Sequence, residues 1–194
     1  MDNFAEAESV DQLEATIKRC KRCPLGKTRT NFVFGVGNPE ADIMFIGEAP
    51  GRDEDLQGMP FVGRAGKLLD KMLAEIGLNR NEVYIANILK CRPPNNRDPE
   101  QDEVDQCLPY LTKQIKIIKP KAICSLGRIA AQRILQTNMA LGAMRGRWFD
   151  YHGIKFMVTY HPAAILRSNS YLPGALEDLK RLLKTVNPRK TGMK

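Results

Sequence analysis

IMFIGEAPGRDEDLQGMPFVGRAGKLLD, Ile43 to Asp70, decides the fold. Its first four residues are apolar without alternation, which suits a strand buried on both faces rather than one with a wet side. The run stops at Gly47 and opens into a loop holding Glu48, the turn Ala49-Pro50-Gly51, a group of acids and the lone aromatic Phe61; helical spacing resumes at Gly66. Three further strand-like runs, at 83–87, 121–127 and 155–160, join the first at 41–47, and helical patterns at 66–76, 99–118, 129–136 and 174–186 follow them in turn. Apolar strands alternating with helices predict an α/β fold, a three-layer α/β/α sandwich around a central, mainly parallel, four-stranded sheet. Ligands of such sheets bind in the crevice beyond the carboxyl ends of the strands. The distinctive residues lie there: GEAPG after the first strand, NILKCRPPNNRDP after the second, SLGR after the third and YHPAAILRS after the fourth.

At 194 residues and 43% apolar content, the chain suits one domain over residues 1–194, with a basic tail from 187 to 194 expected to fray. No apolar run approaches the roughly 20 residues of a membrane span, and the acidic N-terminus lacks the basic and apolar regions of a signal peptide. A cytoplasmic protein with no membrane partner is expected, and a monomer. The net charge of +8 favours polyanions without identifying one. Ser9 followed by Gln12 marks a capping box that opens a short helix running toward Cys20.

Five cysteines, an odd number in a chain without an export signal, argue against a disulfide framework. Cys20 and Cys23 form a C-x2-C on a turn; Cys91 and Cys107 follow singly. Four thiolates suit zinc and an iron-sulfur cluster alike. Cys124, within KAICSLG, reads as a buried apolar filler.

Taken singly, the residues that follow the strands have more than one reading each. Glu48 is an acid or base, a partner for loop amides, or a solvated loop residue. Phe61 is a core residue or a stacking platform. Asn87, at the end of VYIAN, caps a turn or reads the edge of a nucleobase, since an amide donates and accepts at once. His161, held by Pro162, is structural or stabilises a developing anion.

Together, GEAPGRDEDLQGMPFVGRAGKLLD, VYIANILKCRPPNNRDP, VTYHPAAILRS and the four spaced cysteines closely resemble the family 4, iron-sulfur uracil-DNA glycosylases, in order and over nearly the whole chain. The resemblance implies an enzyme that flips deoxyuridine out of DNA, single- or double-stranded, and hydrolyses its N-glycosidic bond in base excision repair. It implies a uracil pocket of Glu48, Ala49, Glu54, Phe61, Asn87 and His161. In that pocket Phe61 stacks on the base, Asn87 pairs with N3-H and O4, His161 donates to O2, and Glu54 closes the C5 edge. The catalytic set is His161, Glu48 and Asn87. In the best-known branch of the superfamily an aspartate occupies the position of Ala49, so water positioning falls here to Glu48, to Asn87 or to the DNA phosphates. The resemblance also implies a DNA wedge at Ile165 or Leu166 with Arg167 near a phosphate, further phosphate contacts from Arg64, Lys90, Arg92 and Arg97, and a structural 4Fe-4S cluster on Cys20, Cys23, Cys91 and Cys107. Sliding-clamp or repair partners are compatible with it. A metal-stapled nucleic-acid-binding module without catalysis is one rival reading, which would need the cysteines and basic loops but not Asn87 or His161; a sister glycosylase of the same superfamily with a broader taste for deaminated purines is the second.

Overall fold

The computed structural model describes residues 3–187, so the expected frayed tail, from Pro188 onward, lies outside the described residues. Six strands run in chain order as β1 (Val36–Gly37), β2 (Ile43–Gly47), β3 (Tyr84–Asn87), β4 (Ala122–Leu126), β5 (Trp148–Tyr151) and β6 (Ile154–Thr159). They form one sheet in the order β1-β3-β2-β4-β6-β5. The four anticipated strands make its parallel centre, β3-β2-β4-β6. Chain direction across the sheet reverses at β2, where the connections run first to β3 on one side and then to β4 on the other. That reversal opens a crevice at the carboxyl ends of β2 and β4.

Four strands were expected and six are present. The two additions are antiparallel edges: β1 pairs with β3, and β5 pairs with β6 through a tight turn in which His152 and Gly153 take φ of 52° and 83°. Neither leaves a clear trace in sequence. β1 is two residues long, and the half-exposed Trp-Phe-Asp-Tyr of β5 shows neither a continuous apolar run nor strict alternation.

The central strands bury both faces, and their side chains sort by parity. Met44, Ile46, Ala86, Ile123, Phe156 and Val158 join one core, while Ile43, Phe45, Ile85, Cys124, Leu126 and Met157 join the other. The helices are α1 (Val10–Ile17), α2 (Leu25–Thr28), α3 (Arg52–Gln57), α4 (Arg64–Glu75), α5 (Gln101–Ile118), α6 (Arg128–Leu135), α7 (Leu141–Met144), α8 (Pro162–Arg167) and α9 (Leu172–Val186). α1, α5 and α6 cover the first face; α4 and α9 cover the second, which gives the three layers. α5 shows why: Val104, Cys107, Leu111, Ile115 and Ile118 recur every three or four residues and form its buried stripe. Ser9 caps α1 as its sequence suggests, accepting from the Gln12 amide at 3.2 Å. Cys124 is wholly buried as an apolar filler. Among the described residues no helix is long and apolar enough to cross a membrane.

Candidate active site

A cleft of about 510 Å³ lies at the switch point, and each central strand delivers a residue to it. β2 leads into Glu48 and Ala49, β3 ends at Asn87, β4 leads from Leu126 into Gly127 and Arg128, and β6 leads into His161. Glu54 and Phe61 line the same cleft, so the six residues expected around a base converge.

Asn87 forms its floor. The residue is 2% exposed, and its side-chain oxygen Oδ1 has no hydrogen-bond partner. A buried acceptor left unpaired costs on the order of 1–3 kcal/mol, so it points to a ligand that donates. Asn87 stands beside Gly47 in the parallel ladder, and a Cβ on Gly47 would lie 2.4 Å from Oδ1 and 2.6 Å from the Phe61 ring. The bare backbone at 47 lets amide and ring approach each other. Phe61 is buried and adopts a left-handed φ of 53°. Glu54 braces its loop: one carboxylate oxygen accepts from the Val62 and Gly63 amides at 2.9 and 2.8 Å, the other from Gly51 at 3.1 Å. Those bonds commit the Glu54 oxygens to backbone, so its part in the wall includes holding the loop.

His161 caps the short helix α8, and its Nδ1 accepts from the Ala163 amide at 3.0 Å. The ring proton of the neutral form therefore sits on Nε2. Burial, helped by Arg167, pushes the imidazolium down to about 4, so the neutral ring prevails at physiological pH. Its ring centre lies 5.7 Å from that of Phe61. Gly127, at φ 95°, passes close enough that a Cβ would meet the His161 Cβ at 3.0 Å. Burial raises the Glu48 carboxyl to about 7, with Asp98 adding to the rise and Arg128 and Arg133 opposing it.

At the cleft edge, α8 separates the two residues expected at a wedge. Ile165 is 2% exposed and packs into the core, whereas Leu166 is 51% exposed; Arg167 is exposed and reaches the cleft. The expected phosphate contacts also divide. Arg64 is exposed, but Lys90 is fully buried, with Nζ donating to the Asn87 carbonyl at 2.8 Å and to Gln114 Oε1 at 2.6 Å. Lys90 therefore supports the carboxyl end of β3 and does not meet a phosphate. Arg97 forks onto Glu103, and Arg92 donates to Asn96. Sequence cannot tell a buried, internally bonded lysine from a surface one, because the burial comes from α5 packing over it.

Away from the cleft, Cys20, Cys23, Cys91 and Cys107 line one small cavity, and none is in a disulfide. Among the described residues no three or more His, Cys, Asp or Glu side chains are gathered as a single metal ion requires. Donors nevertheless point at the sulfurs: Arg29 at Cys91 Sγ (3.0 Å), the Lys90 amide at Cys107 Sγ (3.2 Å) and the Tyr110 hydroxyl at Cys20 Sγ (3.3 Å). Burial pushes the Cys91 thiol up to about 11 and Cys107 to about 12. Thiols this costly to ionise, ringed by donors that favour thiolate, fit a cationic group that draws the protons off. Segment 29–31 links this cavity to the cleft: buried Asp55 of α3 accepts from the Thr30 amide at 3.0 Å, next to Arg29.

Asn96, Asp98 and Arg128 also line the cleft. The motifs NNRDP and SLGR lay in the right loops, but nothing in their composition singled these residues out. A family model for the uracil DNA glycosylase superfamily matches residues 34–184. The chain is 48% identical over 187 residues to a type-4 uracil-DNA glycosylase of Archaeoglobus fulgidus, covering 92% of each chain. It is 41% identical over 182 residues to one of Thermotoga maritima, covering 92% of this chain and 95% of that one. A type-5 uracil-DNA glycosylase of Pyrobaculum aerophilum is 29% identical over 146 residues, covering 66% and 64% respectively.

Proposed function

The chain belongs to the uracil-DNA glycosylase superfamily, and from that premise we propose how its cleft performs the reaction. The protein excises uracil from DNA, hydrolysing the N-glycosidic bond and leaving an abasic site for base excision repair. The bond is out of reach inside a stacked duplex, so the nucleotide must first swing out, at a cost of a few kcal/mol. Leu166 fills the space it vacates, and Arg64, Arg128 and Arg167 hold flanking phosphates.

One observation carries the reading of the pocket: the unpaired, buried Oδ1 of Asn87. Uracil presents a donor at N3 and an acceptor at O4, which meet Oδ1 and the amide NH2. Cytosine presents an acceptor and a donor there, which face the same groups mismatched. Phe61 stacks on the ring. As the bond lengthens, the sugar gains oxocarbenium character and charge collects on uracil O2. Neutral His161 donates Nε2–H to that oxygen, a bond that strengthens as the charge grows. Ala49 supplies no carboxylate, so Glu48, once ionised, stabilises the cationic sugar and orients the water that attacks C1′. The water's proton passes to a base or to solvent, and uracil leaves as the anion before it is protonated.

The four cysteines suit a 4Fe-4S cluster, a group held by four thiolates, since all four line a single cavity. Bound there, a cluster supplies a covalent staple between the end of α1, the exit of β3 and α5. The enzyme is proposed to work inside the cell as one domain and a monomer, on single- or double-stranded DNA and open to clamp or repair partners. Excision from a labelled duplex with one uracil tests the core of this reading. Wild type should cleave, and Asn87→Asp should lose about a hundredfold or more while folding normally. A folded, iron-loaded wild type without excision would instead favour the nucleic-acid-binding module.

A further inference from the structure

Phe61 is a phenylalanine in the left-handed region, at φ 53°. Side chains with a Cβ rarely remain there unless the surroundings over-determine the conformation. The surroundings here are specific. The peptide group joining Phe61 to Val62 is held at both ends by opposite charges: its carbonyl accepts from Arg80 Nη1 at 2.8 Å, and its amide donates to Glu54 Oε1 at 2.9 Å. Arg80 Nη2 also donates to the carbonyl of Pro60, one peptide earlier, and Glu54 also accepts from Gly63, one peptide later. Asp70 of α4 aims the guanidinium through a 2.9 Å ion pair. Gly66 completes the seat, because a Cβ there would lie 1.8 Å from the Phe61 carbonyl oxygen.

We propose that Arg80 and Glu54 form a two-ended clamp on the Phe61–Val62 peptide that fixes the tilt of the aromatic platform, making Arg80 a positioning residue for uracil. Arg80 does not line the cleft, so its influence must pass through Phe61. The planar fork of an arginine can serve two carbonyls and a carboxylate together; the point charge of a lysine cannot. The inference rests on the base-pocket reading above, but the clamp itself can be measured without it.

Two readouts on Arg80→Met test the proposal. Hydrogen exchange of the segment carrying the Val62 and Gly63 amides should quicken by about tenfold while the cores stay protected. Uracil excision, as kcat/KM, should fall by about tenfold with Phe61 present, yet by less than about twofold in a Phe61→Ala background, where there is no platform left to misplace. Arg80→Lys should fall between wild type and Arg80→Met, and it serves if the methionine variant does not fold. Equal losses in both backgrounds would show general damage and overturn the proposal, as would unchanged exchange at 62–63. A wild type that excises no uracil would sink the functional reading, and the exchange experiment would still decide the clamp.

Discussion

Gly47 lacks a side chain because there is no room for one, and that makes it a sharp probe of the pocket. In Gly47→Ala the new methyl falls 2.4 Å from Asn87 Oδ1 and 2.6 Å from the Phe61 ring. Overpacking of this kind costs about 1–3 kcal/mol, so the protein should stay folded by circular dichroism while excision drops by about a hundredfold. Glu48 gives a second test, through pH. Burial raises its carboxyl to about 7, so the ionised form proposed to orient the water dominates above that value and is lost below it. kcat/KM should therefore climb with pH to a plateau above about 7, and Glu48→Gln should flatten the rise. His161, lowered to about 4, stays neutral across that range and adds no limb. Sequence placed Asn87, His161 and Glu48 at strand ends, because a buried run that stops leaves its next residue in the crevice. It could not place Arg80, whose turn, LNRNE, reads as ordinary surface.

The elements divide along a similar line. The central strands were legible because burial on both faces demands uninterrupted apolar residues, while β1 and β5 were not, since a half-buried edge accepts almost any composition. The sequence also passed over α3, a six-residue helix in the acid-rich loop after β2, where spacing is too short to show a period. Yet α3 is what lets Asp55 and Glu54 reach backbone amides on either side of it. α5 carries Cys107 into the shared cavity, so Cys107→Ala should release bound iron and remove a tie between elements. A loss of about 3 kcal/mol, or roughly 10 °C in Tm, is expected by calorimetry alongside an iron assay. A variant that loses iron with Tm unchanged would argue against a staple.

Across the whole molecule, the +8 charge overstates the grip on DNA. Lys90 is buried, and among the described residues most of the other cations lie away from the cleft. Among the described residues, Arg128 and Arg167 line the cleft and the exposed Arg64 adjoins Ala65 of its wall, three cations in all. Affinity for an abasic duplex, measured by fluorescence anisotropy, should fall with log salt at a slope near −3, at about −0.9 per phosphate. Arg128→Ala should make it shallower by about one, whereas a slope of about −7 or steeper would mean that cations well beyond the cleft take part. The stretch from Asn87 to Cys91 ties these scales together. Only three residues separate the amide proposed to read the base from a sulfur of the cysteine cavity, and one of them, Lys90, donates back to the Asn87 carbonyl. That stretch works as a ruler. An inserted residue between 87 and 91 would throw the amide edge and the sulfur out of register together, so the length of this stretch is constrained as tightly as the identity of its ends.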